Sequence, residues 1–409
     1  MRLTIRSLSG LPAGYWWLWS GTLINSIGGF VVPFMTIYLT VHLGYSPEFA
    51  GFAVTLYGVG KMLAPLGGGI TADRFGRRPS LIGSQLLAAA SMAALGFAIT
   101  PVTVGISAFL VGAGLNGARP ARAAMIAELV NPADRVRGYT LNFWAINLGG
   151  AAAPVLAGTL AGGGYLWLFL VNALANLLCG IIVYIKLPET RPVALAPTEA
   201  GPKADPKSFW GNKFFLTYLV FTFLMAMVYQ QYLVALPVQM TASGVPVAQY
   251  GVIMGLNGLV IVLLQLPISR LTNRANTWSV LSVAALIAGA GYGLTAFAGN
   301  VLFYGFTVVV WSIGEIANSP TSMAAVAELS PDNARGRYQG AYNLAWGAAS
   351  ALAPLLSSLV IEQVGTWLVW AGCAGIGVVC AVGYRLMGRW RAQVVAAEVV
   401  TAEAAATPG

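Results

Sequence analysis

Charge is what this chain has least of. Only 9% of its 409 residues are Asp, Glu, Lys or Arg, where soluble domains carry roughly 25%. Histidine occurs once, at His42, and cysteine three times, at Cys179, Cys373 and Cys380. All three cysteines sit inside apolar runs and their number is odd, which argues against both a disulfide framework and a metal site. One histidine, no paired carboxylates and no nucleophile cluster leave little for acid–base or covalent catalysis, so the chain does not read as an enzyme. No G-x-x-x-x-G-K-[ST] run is present, which removes the usual phosphate-cradling ATPase loop. No cleavable leader is expected either, because the first apolar run, from Tyr15, is too long for one. No cofactor or metal is implied.

What is present in excess is apolar length. Hydrophobic residues make up 57% of the chain. About 20 apolar residues span a bilayer as a helix, and the pattern predicts twelve such spans. They cover 15–41, 48–70, 79–99, 102–129, 138–161, 165–187, 213–240, 247–269, 276–298, 301–329, 337–361 and 365–387. Residues 188–212 are rich in proline and charge and predict a linker between two six-helix halves, 1–187 and 213–387, with a solvated tail at 388–409. If the N-terminus faces the cytoplasm, the inner loops and ends hold 19 of the 22 Lys and Arg, and the outer loops hold none. This is the positive-inside distribution of an inner-membrane protein with both termini cytoplasmic. The net charge of +9 is therefore explained by anionic lipid, with no nucleic-acid partner.

The halves repeat. At a shift of 200 residues, Gly51 meets Gly251, Gly58 meets Gly258, Pro120 meets Pro320 and Glu128 meets Glu328. Arg135 and Arg137 meet Arg335 and Arg337, and Pro154 meets Pro354. Six-helix halves in the same orientation imply two bundles related by an axis along the membrane normal, with a solute site between them near the midplane.

The stretch GITADRFGRR, Gly69 to Arg78, fills every fixed position of G-x-x-x-D-R-x-G-R-R between spans two and three. On that motif and the twelve-span layout the chain resembles the major facilitator superfamily. A looser match in span five, GAAAPVLAG, keeps Gly150, Pro154 and Gly158 of a drug/proton antiporter signature, with Ala153 and Ala157 in place of two glycines. Span ten carries GEIANSP, Gly314 to Pro320, as in bacterial multidrug exporters. The chain departs from the antiporter pattern in span four, where Ala108 stands at the arginine position before Gly112 and Gly114. The resemblance implies proton-coupled efflux of small amphipathic compounds by alternating access, by a chain that works as a monomer. Transport of an anionic metabolite or lipid headgroup, or uncoupled facilitation, is the alternative.

The resemblance also assigns a cytoplasmic latch. It consists of Gly69, Asp73, Arg74, Gly76, Arg77 and Arg78, with Glu128 as partner of Arg77 and the start of span eleven as partner of Asp73. Asn273 replaces Asp73 in the second half, so the latch is expected on one side only.

Ionisable groups inside a bilayer are costly and are functional candidates by default. Glu315 is the one acid deep in a span, and it is the candidate proton carrier. Lys61, Arg119 and Arg122 are the membrane cations; three cations to one acid motivate the anionic alternative. Lys61 reads either as an ion-pair partner of Glu315 or as a substrate anchor. Asn25, Tyr57, Asn142, Asn147, Tyr229, Gln230, Gln231, Asn257, Asn343 and Trp346 are further pocket candidates, each of which also suits hydrogen bonding between helices. The triplet Tyr229-Gln230-Gln231 is the least easily explained by packing.

Overall fold

A computed structural model describes residues 10–29, 31–131, 134–162, 164–189, 211–272, 275–331 and 335–406. Asn273 and Arg274, linker residues 190–210 and the side chain of Asp73 lie outside the described residues. Among the described residues there is no strand. The first half consists of α1 (Ala13–Gly28), α2 (Val31–Ile37), α3 (Pro47–Phe75), α4 (Arg77–Phe97), α5 (Pro101–Leu129), α6 (Arg135–Gly162) and α7 (Tyr165–Lys186). The second consists of α8 (Lys213–Tyr229), α9 (Ala235–Ala242), α10 (Val247–Thr272), α11 (Thr277–Leu294), α12 (Val301–Leu329), α13 (Arg335–Gln363) and α14 (Thr366–Ala406). Ten stretches among the described residues are long and apolar enough to cross a membrane, and α6 holds a shorter apolar stretch, Trp144–Leu160.

Polar side chains set where these helices begin. Ser46 accepts the Phe49 N–H (3.2 Å) ahead of Pro47, Thr100 and Thr103 form a reciprocal capping box ahead of Pro101, and Asn300 accepts the Phe303 N–H (3.0 Å). Each satisfies N–H groups that the first helical turn leaves without a partner.

Two predicted spans are not single helices. The first is broken between α1 and α2, after Gly28 and Gly29, and α2 ends in a π-helical turn, Tyr38–His42. The seventh is broken between α8 and α9 by a 3₁₀ turn over Gln230–Leu233. The breaks fall 200 residues apart and at the same depth as the central cavity. Broken membrane helices are tolerated where the freed backbone lines a cavity or lies within protein. The tail also differs from expectation: α14 does not stop near residue 387 but continues as helix to Ala406.

The repeat read from the sequence is visible as packing. A Cβ on Gly51 would lie 2.7 Å from the Pro354 carbonyl oxygen, and one on Gly251 would lie 2.3 Å from that of Pro154. A Cβ on Gly58 would lie 2.8 Å from the Ala351 Cα, and one on Gly258 would lie 2.5 Å from the Ala151 Cα. Thus α3 packs on α13 across the halves, and α10 packs on α6, through residues that correspond at a shift of 200. Two surface grooves, of about 420 Å³ and 330 Å³, obey the same relation. Gly68, Thr71, Ser84 and Gly117 line one; Ile268, Leu271, Ala284 and Ala317 line the other.

The close cross-half contacts run from the loop end, near Gly51 and Gly251, inward as far as Gly347, whose Cβ would meet the Met62 side chain. Toward the end that carries the chain termini no glycine marks such an approach among the described residues, and Arg119, on a helix inside the bundle, is exposed. Among the described residues, the glycine-mediated approach of the two halves is thus confined to the loop end.

Because the Gly58 approach is backbone against backbone, a side chain there forces the halves apart. In a Gly58→Leu variant, spin labels at the exposed positions Val41 and Ala242 are expected to move apart relative to the same labels in the parent. An unchanged distance distribution would remove the glycine contact as the element that closes the loop end.

Candidate functional site

The two halves enclose a central cavity of about 370 Å³, within the range of small-molecule sites. The first half contributes Ser26, Gly29, Lys61, Gly150, Ala153 and Pro154; the second contributes mostly aromatic and polar residues. Lys61, on α3, donates from Nζ to the Ser350 Oγ on α13 (3.2 Å), a bond between the halves. Glu315, on α12, accepts through Oε2 from the Asn257 Nδ2 on α10 (3.2 Å), which also donates to the Ser312 Oγ (2.8 Å). Among the described residues neither Lys61 nor Glu315 has an ion-pair partner, so the expected Lys61–Glu315 pair is not formed in this conformation although both line one cavity. Each is partly exposed and faces the cavity, where water or solute relieves the cost of its charge.

The aromatic wall belongs to the second half. Tyr229 and Trp346 lie nearly parallel (14°, centroids 6.0 Å apart), as do Tyr292 and Trp311 (20°, 5.0 Å). The Tyr292 hydroxyl donates to the Tyr229 carbonyl oxygen (3.2 Å). Tyr229 is 5% exposed, and its hydroxyl has no hydrogen-bond partner among the described residues.

Of the sequence candidates, the cavity gathers Lys61, Tyr229, Gln230, Asn257, Glu315 and Trp346, together with Gly150 and Pro154 of the span-five motif. The third motif glycine, Gly158, lies instead in the contact with Ala248 on α10. Asn25 does not line the cavity, because it donates to the Gln85 Oε1 (3.0 Å) within the first half. Gln231 is turned away from it by its own 3₁₀ turn, accepting from the Ser357 Oγ (2.6 Å) on α13. Asn343 is exposed one helical turn from Gln339, its partner at 3.5 Å. Tyr57 is buried in the apolar core. Asn142, Asn147, Arg119 and Arg122 are also absent from the lining, with Arg119 exposed and Arg122 half-buried on α5. Sequence reasoning missed Ser26, Gly29, Tyr232, Met254, Tyr292 and Trp311. For one of them a signal existed unused: Gly29 stands 200 residues before the candidate Tyr229.

At the terminus end, the charged loop between α3 and α4 is built around Gly76. Its backbone (φ 102°, ψ 165°) lies in a region essentially confined to glycine. A Cβ there would also lie 2.4 Å from a carboxylate oxygen of Glu189. Glu189 Oε1 accepts the Arg77 N–H (2.9 Å) at the start of α4, where the helix dipole favours negative charge. Arg77 also pairs with Glu128 (3.4 Å), the partner the resemblance implied, and donates from Nη1 to the Ala72 carbonyl oxygen (3.2 Å). Arg78 donates to the Tyr184 carbonyl oxygen and lies over the Tyr184 ring, 5.2 Å from its centroid. Gly69 borders open space and Arg74 is exposed. Nothing in the residue pattern pointed to Glu189, because it stands at the edge of the linker. In the second half, Thr277 replaces Arg77, and Glu328 pairs instead with Arg391 (3.8 Å) on the extension of α14.

A family model of the Major Facilitator Superfamily matches residues 18–354 and 233–406. The chain belongs to that superfamily: it is a multi-pass membrane transporter, not an enzyme. It is 26% identical over 355 residues to the uncharacterized MFS-type transporter YdeE of Escherichia coli, covering 85% of this chain and 88% of that one. It is 24% identical over 374 residues to the multidrug resistance protein MdtH of Aeromonas hydrophila, covering 89% and 93%. Among solved structures, the fold matches a POT family transporter in complex with 5-aminolevulinic acid (TM-score 0.78, 16% identity, 94% and 98% covered). It also matches the nucleoside transporter NupG (TM-score 0.76, 16% identity, 92% and 99% covered).

The Gly76 geometry gives an ordering of stabilities. Gly76→Ala is expected to cost about 1–3 kcal/mol from backbone strain alone. Glu189→Gln is expected to cost about 0.3–1 kcal/mol through the helix terminus. Thermal unfolding of the purified protein in detergent checks the order, and a Gly76→Ala variant as stable as the parent would contradict it.

Proposed function

We propose that this transporter exports small amphipathic compounds in exchange for protons, and that Glu315 is the group both compete for. The observation that carries this reading is the placement of Glu315. It is a carboxylate in the wall of the central cavity, held by a neutral amide and by no cation among the described residues. A carboxylate in that position binds a proton or a cationic group of the cargo, and an exchange follows if it cannot hold both. The aromatic wall suits an amphipathic cargo. The likeness to MdtH, whose name describes multidrug resistance, supports efflux.

In this reading the termini and the linker 188–212 are cytoplasmic in an inner membrane, as the arginine distribution implies. The Arg77–Glu128 pair joins α4 to α5 within the first half, so Asp73 is the member of the motif left to latch the halves when the site faces outward. A surface charge contact of that kind contributes about 1 kcal/mol or less, weak enough to break in every cycle.

Proteoliposomes test the coupling. Adding a transported amphipathic dye is expected to release protons in the parent. Glu315→Gln is expected to reduce that release to background at equal incorporation. Proton release that survives Glu315→Gln would remove Glu315 as the carrier.

A further inference from the structure

The cavity holds one base and one acid on opposite halves, and neither neutralises the other. Among the described residues Lys61 has a single hydroxyl partner, Ser350, and Glu315 has a single amide partner, Asn257. A neutral hydrogen bond orients such a group without cancelling its charge. A cationic cargo on Glu315 displaces the water that relieves the Lys61 ammonium and leaves it uncompensated, and an anionic cargo on Lys61 does the same to the Glu315 carboxylate. Breaking or omitting one member of a desolvated pair is the costly case. A cargo that carries both charges compensates both walls at once.

The remaining chemistry of the cavity narrows this further. Tyr229, Tyr292 and Trp311 are nearly fully buried in stacked ring pairs, and they back the partly exposed Trp346 in the cavity wall, a surface on which a flat ring stacks. The Tyr229 hydroxyl is a buried donor without a partner among the described residues. It suits an acceptor oxygen on the cargo, since a buried donor left unmatched is destabilising.

We propose that the cavity selects planar aromatic zwitterions, with the cargo ammonium on Glu315 and its carboxylate on Lys61. This rests on the central cavity being the transport site, as proposed above. Lys61 is then a specificity residue, and the two charges read the cargo from opposite halves.

Three compounds that share one ring system separate the possibilities: naphthylalanine, which is zwitterionic; naphthylethylamine, a cation; and naphthylpropanoic acid, an anion. Calorimetry on the full chain in detergent is expected to show naphthylalanine binding about tenfold or more tighter than either relative, some 1.4 kcal/mol. Lys61→Gln should erase the advantage over the amine alone, and Glu315→Gln the advantage over the acid alone. Lys61→Arg should keep both. The ranking in the unaltered protein is decisive even if a variant does not fold. An amine or acid that binds as tightly as naphthylalanine overturns the proposal, and so does a Lys61→Gln variant that weakens all three alike. If the amine binds best and drives Glu315-dependent proton release, zwitterion selection fails while proton-coupled export stands. If none of the three binds or moves protons, both fail.

Discussion

Backbone meeting backbone across the two halves is the constraint on which the rest of this structure depends. Where α3 crosses α13, and where α6 crosses α10, glycine removes the side chain that would hold the helices apart. Lipid offers no hydrophobic incentive for helices to associate, so close approach and van der Waals packing must supply it. The consequence is geometric. The contacts seal the loop end and stop near Met62 and Gly347, one turn from the Lys61–Ser350 bond. The cavity begins where they stop. Lys61 and Glu315 are tolerable inside the membrane because that seam ends at their depth and leaves polar surface beside them.

Much of the frame was readable in the residues. Apolar length marked the spans, and the 200-residue register named the glycine and proline pairs that turn out to pack against each other. The signature loop and the Arg77–Glu128 contact followed from motif positions. The site was less readable. Sequence spacing says which face of a helix a residue occupies, but not which neighbour takes its polar atoms. Asn25 and Gln231 had the right chemistry and depth, yet Gln85 and Ser357 hold them inside a single half. Tyr292 and Trp311 passed as ordinary apolar residues, because only the meeting of α11 and α12 turns their stacked rings toward the cavity. The breaks in the first and seventh spans were missed because Gly28-Gly29 and Gln230-Gln231 are too short to interrupt an apolar run of membrane-spanning length.

The halves share a backbone plan but not an electrostatic one. In the first half, Gly76 admits the Glu189 carboxylate to the start of α4 while Arg77 reaches Glu128. In the second half, the equivalent of Arg77 is Thr277, and Glu328 finds Arg391 on the prolonged last helix. Glu328 is thereby tied to the chain's final helix rather than to a loop between helices. Both pairs join helices within one half, so they brace each bundle as a body and leave the seam between bundles to the glycines.

The aromatic wall has a consequence for how such a protein changes over evolutionary time. All four stacked rings and the carboxylate belong to the second half, and the ammonium belongs to the first. The glycine-packed crossings, by contrast, are shared equally between the halves. A duplication can create the mechanical frame in one event, and single substitutions can then rewrite the chemistry of either wall without touching the surfaces that move. The machine and its menu are inherited separately.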